Sequence, residues 1–195
     1  MTIRKGEEWG TAAARPAGIV MATSDAELAR LITRDPHGVY GLSGGDLHRA
    51  VGAPQARAVV QRLPVDAIEV EVDGRQLIAV AHVVARRGWW HGAIVAIMNT
   101  DHIGSWNVAP RAHPNDGKID IVEVDPSMSV RERLQARQRL AHGTHLPHPR
   151  LVVRTATEAA WEFAKPSATY VDGEAVGRCT RLRVRVLVDH AVIYV

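Results

Sequence analysis

Alternation of apolar and polar residues dominates the chain from about Leu63 onward. The run AIEVEVDGRQLIAVAHVVARR places Asp73-Gly74 between two alternating segments, which predicts a hairpin. HGAIVAIMNT reads as a buried strand. GKIDIVEV sends Ile119, Ile121 and Glu123 to one face and Lys118, Asp120 and Val122 to the other. RLVVRTATEAAWEFA and TRLRVRVLVDHAVIYV continue the β pattern, and glycine, proline and asparagine punctuate it at short intervals. Ile119, Ile121, Val152, Val184 and Val186 are expected in one core. One helix interrupts this half: SVRERLQARQRLA opens on a Ser129-x-x-Glu132 capping box, with Val130, Leu134 and Ala141 as its expected apolar stripe.

The first third has a different texture. GIVMAT is a short strand candidate, and Ser24-x-x-Glu27 caps a helix whose apolar face is Leu28, Leu31 and Ile32. VYGL follows as a second strand, so residues 18–42 form a small βαβ candidate with parallel strands. The whole predicts an α+β chain. Residues 1–16 are an N-terminal arm, residues 17–62 a small α/β element, and residues 63–195 a mostly antiparallel β-sandwich.

Composition narrows the function classes. Hydrophobic residues make up 46%, and the single cysteine, Cys179, cannot form an internal disulfide and reads as a small core residue. No apolar run approaches the roughly 20 residues of a membrane span, and residues 1–18 lack a signal-peptide core. These features predict a cytoplasmic protein. The net charge of +3 favours anionic partners mildly. Lysine occurs only at Lys5, Lys118 and Lys165, and basic segments interleaved with stacking rings are missing, so nucleic acid is not expected. Arg181, Arg183 and Arg185 alternate with Leu182, Val184 and Val186, which fits a solvated sheet face paired with acids or one turned to an anionic membrane surface. Trp89-Trp90 after Arg86-Arg87 is a candidate interfacial edge, with at least one indole buried.

Candidate chemistry gathers at acid–glycine turns. In VYGLSGGDLHRAVG a strand, a glycine pair, an acid and a helix follow one another; Gly44 and Gly45 can admit a phosphate close to the backbone, and a helix start favours an anion. The same pattern serves as a plain turn. Asp116-Gly117 and Asp172-Gly173-Glu174 are further turns whose carboxylates suit Mg²⁺ or general-base chemistry. His142, His145 and His148 lie three apart in a segment broken by Gly143, Pro147 and Pro149, a loop that could line a cleft or cap carbonyls more readily than gather zinc.

In their order, GLSGGDLHRAVG, APRAHPNDGKIDIVEV and the late VDGEAVG resemble the diacylglycerol kinase catalytic-domain family, which includes bacterial lipid kinases and sphingosine kinases and is distantly related to NAD kinases. The resemblance spans roughly residues 38–195. It implies a nucleotide domain holding ATP, a β-sandwich holding the lipid acceptor, and an active site between them. Gly44, Gly45 and Asp46 match the start of the family's phosphate loop. Asp172 matches the acid of its metal–water network, Glu174 the candidate base, and Asp116 an acid at a structural metal site. Asp46 and Asp172 would then organise Mg²⁺ and its water, with Asp116 as the metal ligand of the structural site. Leu47 and His48 stand where the family has glycine and threonine, and its early Asn-Pro nucleotide loop is missing. The expectation is a trimmed lipid-kinase-like member that uses Mg²⁺ and ATP if it is active. The alternatives are a non-catalytic binder of a lipid or apolar small molecule, or a module docking on a homo-oligomer mate or a partner with a nucleotide domain.

Overall fold

The computed structural model describes residues 9–52 and 59–195. In chain order the elements are β1 (Thr11–Ala14), β2 (Val20–Ala22), α1 (Asp25–Arg34), β3 (Tyr40–Leu42), α2 (Gly45–Ala50), β4 (Val59–Val72), β5 (Arg75–Ala79), β6 (His82–Arg86), β7 (Ile94–Met98), β8 (His102–Ile103), β9 (Trp106–Asn107), β10 (Ile119–Val124), α3 (Val130–Leu140), β11 (Leu151–Ala156), β12 (Glu158–Val171) and β13 (Glu174–Tyr194). Among the described residues no helix is long and apolar enough to cross a membrane.

Local chemistry accounts for several of these. Asp73 and Gly74 take φ of +47° and +90°, the left-handed pair that joins β4 to β5 with the twist of the strands. Ser129 and Glu132 form a reciprocal capping box at the start of α3. At α1 the Ser24 side chain accepts the Glu27 N–H, while the Glu27 carboxylate reaches back to the Thr23 N–H at 2.8 Å.

One large sheet runs in the order β1-β4-β13-β12-β6-β7-β10-β11, with β5 beside β4 and β3 joining β13 to β2. It is antiparallel except where β3 pairs with β13 and with β2. Register shifts within β12 and β13 mark where these long strands bend. The sheet thus makes a sandwich, and Ile68, Val70, Leu182 and Val184 of one layer pack against Val83, Ile97, Ile119 and Ile121 of the other. This is the mostly antiparallel α+β sandwich that the alternation predicts.

Two further cores flank it. Leu28 and Ile32 of α1, Leu47 of α2 and Leu42 of β3 close on Leu63, Val65, Ala191 and Ile193 of β4 and β13. On the outer face of β6, β7 and β10, Val84, Ala96, Met98 and Val122 meet Val108 and Ala109, with Trp106 and Leu140 against them.

The structure corrects several expectations. Residues 11–14 are not a loose arm: they pair with β4, from Thr11 opposite Arg62 to Ala14 opposite Val59. The boundary at 62/63 falls inside β4, whose residues serve both cores. Val152 is 53% exposed, because β11 is the edge strand of the sheet. Helix α3 turns its expected apolar stripe outward: Val130 and Leu134 are 59% and 46% exposed, and Arg133 is the buried residue. Both Trp89 and Trp90 are exposed, where burial of at least one was expected. The arginine stripe has the acid-paired form, with Arg185 bonded to Glu69 at 2.9 Å and Arg183 opposite Glu71. Cys179 is buried.

Candidate functional site

The glycine pair before α2 is shaped by the chain's own carboxylate. Asp25, the first residue of α1, is buried, and its two oxygens accept the N–H groups of Asp46 (2.6 Å) and Leu47 (3.1 Å) at the start of α2. Gly45 has φ +94°, and a Cβ there would lie 2.4 Å from Asp25 Oδ1. A Cβ on Gly44 would lie 2.4 Å from the Thr23 carbonyl oxygen. The glycines are therefore required by the close approach of the α1 entry. The N–H groups that open α2 are thus already taken up by Asp25. Burial pushes the Asp25 carboxyl up to about 6, against the two N–H bonds and with help from the Asp46 charge.

Asp46 faces away from the turn it begins. Its carboxylate accepts the Gly104 N–H at 2.9 and 3.0 Å and lies 3.6 Å from Nδ1 of buried His82. Asp172, in the turn between β12 and β13, has φ +47° and accepts three backbone N–H groups, those of Val80 (2.9 Å), Ala81 (2.9 Å) and His82 (3.0 Å). Burial raises its carboxyl to about 7, with the Asp25 charge adding to the rise against those bonds. The His82 imidazole is pushed down by burial, which Asp46 opposes. Asp46 thus lies near the side chain of His82 and Asp172 holds its backbone N–H, and the Asp25 charge acts on Asp172. Asp25, Asp46, His82 and Asp172 are all buried.

The remaining acids go elsewhere. Glu174 lies on the outside and holds Arg30 of α1 with both carboxylate oxygens, at 2.7 and 2.8 Å. With Asp172 it lines an open pocket between α1 and β5, which Asp46 does not line. The Asp116 charge acts on Asp66 and Asp120, both raised to about 6 chiefly by burial. Asp66 is satisfied by Gly117 N–H (2.8 Å), Asp189 N–H (2.8 Å) and the Asn115 amide. Among the described residues no group of three or more histidine, cysteine or acidic side chains is arranged to hold a metal ion. His145 caps the Val108 carbonyl through Nε2 at 3.1 Å, while His148 Nδ1 accepts the Arg150 N–H.

A second place has the opposite character. Between α3 and the outer face of β6, β7 and β10 lies a pocket of about 110 Å³, walled by Val84, Ala96, Val122, Ala136, Leu140 and Trp106. Trp89 and Trp90 line its mouth, and Trp89 meets Trp106 edge to face at 5.5 Å. The Arg137 guanidinium lies 5.8 Å from the Trp90 ring centre and 5.4 Å from that of Trp106. Arg86 sits over Trp89 at 4.2 Å and Tyr170 at 4.9 Å. Arg133 fixes α3 to the rest: its side chain donates to the carbonyls of Met128, Trp89, Gly92 and Asp125. Burial lowers its affinity for a proton. These anchors turn the 133, 136, 137, 140 face of α3 inward.

Residues 50–190 match the family model of the YegS C-terminal NAD kinase beta sandwich-like domain. The chain belongs to this family. The YegS-type span includes Asp172 and all the pocket-lining residues named above, and it begins after the Gly44-Gly45-Asp46 turn. Solved structures from Bacillus anthracis str. Sterne of a protein assigned as a diacylglycerol kinase superpose on 90% of this chain and 76% of their own. Their TM-scores are 0.64 to 0.65 and their identities 12 to 14%. At that identity the likeness is one of fold. No curated protein sequence matches the chain.

Sequence reasoning reached Asp46 and Asp172 but missed Asp25, His82 and the pocket. Asp25 carried one signal, an acid directly behind the Ser24 cap, but such an acid ordinarily complements its own helix.

Proposed function

We propose that this YegS-type chain is a lipid-kinase-like binding protein. It takes an apolar ligand, a lipid tail or a comparable small molecule, in the pocket beneath α3, and it does not use the α2 turn as a nucleotide site. The carrying observation is the contrast in occupancy: the pocket has apolar walls and aromatic sides, whereas the α2 turn is filled by Asp25. Burial of a hydrocarbon against such walls is favourable at about 25 cal/mol per Å². Mg²⁺ and ATP have no part in this reading.

The test uses the neutral dye N-phenyl-1-naphthylamine and the full chain. Wild type should bind it saturably, with energy transfer from Trp89, Trp90 and Trp106. Ala136→Phe, which fills the pocket from α3, should weaken binding by about tenfold or more, the effect of about 1.4 kcal/mol. Equal affinity in the two proteins would remove the pocket as the site.

A second reading, phosphoryl transfer from Mg-ATP to a lipid hydroxyl, is favoured by one observation: Asp46 lies near the His82 side chain and Asp172 holds the His82 backbone N–H. It requires Asp25 to leave the start of α2. Saturable Mg-ATP binding by wild type, strengthened in Asp25→Ala, would move the conclusion to this reading.

A further inference from the structure

The mouth of the pocket carries cations without acids. Arg137 is exposed at the rim and lies against two indoles that line the pocket. Arg86 is held by Trp89 and by Tyr170, whose hydroxyl accepts a hydrogen bond from its Nη2 at 3.0 Å. Arg133 meets only carbonyls, and the nearest acid acting on it, Asp125, has its carboxylate taken up by Ser127. Four other arginines do form ion pairs: Arg30 with Glu174, Arg150 with Glu132, Arg154 with Glu123, and Arg185 with Glu69. Among the described residues, Arg86, Arg133 and Arg137 form none, and Arg133 and Arg137 line the apolar cavity itself, which no acid lines.

Resting on the pocket reading above, we infer that the occupant is an anionic single-chain amphiphile: its carboxylate is bound by Arg137 at the mouth and its tail lies beneath α3. Each part of such a molecule has a counterpart. Apart from His145 and Arg133 the lining inside Arg137 is apolar, so the charge must stay at the mouth. A cavity of about 110 Å³ has room for about four waters at roughly 30 Å³ each, and so for about four methylenes at the inner end of the tail, the rest of which lies along the indoles at the mouth. The guanidinium is planar and presents a two-pronged donor edge that matches a carboxylate. Stacking against Trp90 and Trp106 leaves that edge available and reduces the freedom lost on binding. Cation–π contact does not neutralise the charge, so Arg137 keeps its attraction for an anion next to a medium of low dielectric.

The experiment titrates the full chain with decanoate and with decan-1-ol at pH 8, where the acid is ionised, and reads tryptophan fluorescence and heat. Wild type should bind decanoate at least about tenfold more tightly than the alcohol, as expected for a charge-assisted pair. Arg137→Gln should remove that excess and leave the alcohol's affinity within about twofold; Arg137→Lys, which keeps the charge but not the fork, should restore part of it. Equal binding of acid and alcohol by wild type, or an equal loss of both in Arg137→Gln, would overturn the inference while leaving the pocket in place. No binding of either would overturn the pocket reading and the inference together. Binding to phosphatidylglycerol vesicles that falls in Arg137→Gln but not in Ala136→Phe, with no decanoate preference, would assign the arginines to a membrane surface and overturn it as well.

Discussion

The start of α2 and the pocket under α3 are the two places where this chain could meet a ligand, and they are built on opposite principles. At α2 the carboxylates are satisfied by backbone N–H groups, while His82 Nδ1 is left without a hydrogen-bond partner. Asp25 takes two backbone N–H groups, Asp172 takes three, and Asp46 takes the Gly104 amide, all in a buried setting. A motif that suits an external anion has been met by an internal one, and the glycines serve that internal approach. Under α3 the reverse holds. The walls are apolar, and the cations at the rim have aromatic and carbonyl neighbours in place of acids. Helix α3 accordingly buries its arginine side and shows Val130 and Leu134 to solvent.

The polar region should break most severely when an acceptor is removed. Asp172→Ala strands three buried N–H groups and should cost roughly 3–5 kcal/mol in urea unfolding. A loss under about 1 kcal/mol would mean that this carboxylate does not organise the β5–β6 turn. The next effect is pH-dependent. The Asp25 carboxyl is raised from 3.8 to about 6 in the fold. An acid raised on folding contributes stability that is full below its unfolded value and is lost as pH climbs through its folded one. The stability of wild type minus that of Asp25→Asn should therefore fall by about 2 kcal/mol between pH 4 and pH 7. A difference that rises over this window would reverse the assignment. The smallest effect sharpens the account of α3. Leu134→Gln should change stability by no more than about 0.5 kcal/mol, as a surface substitution does, where a buried leucine would cost several times that.

Much of this contrast could be read from the sequence, and the illegible parts share a cause. Ser129-x-x-Glu132, Asp73-Gly74 and the Ile119/Ile121 alternation act over a few residues, and each appears where its local chemistry puts it. Asp25 was hidden because its partners are the N–H groups of another helix, 21 and 22 residues away. The facing of α3 was hidden because tertiary anchors overrule its apolar pattern: Arg133 is held by carbonyls of the Trp89–Gly92 loop, and Arg137 by two indoles. Val152 alternates like a core residue, yet edge position exposes it. The pocket draws its walls from β6, β7, β9, β10 and α3, none of which carries a motif for it.

The measurement that tests the central claim most directly is an amide and indole NMR titration of the full chain, once with decan-1-ol and once with Mg-ATP. The account predicts that the alcohol moves the indole N–H signals of Trp89, Trp90 and Trp106 saturably, while the amides of Asp46 and Leu47 stay in place with either addition. Saturable displacement of the Asp46 and Leu47 amides by Mg-ATP, with the three indoles unmoved by the alcohol, would contradict it.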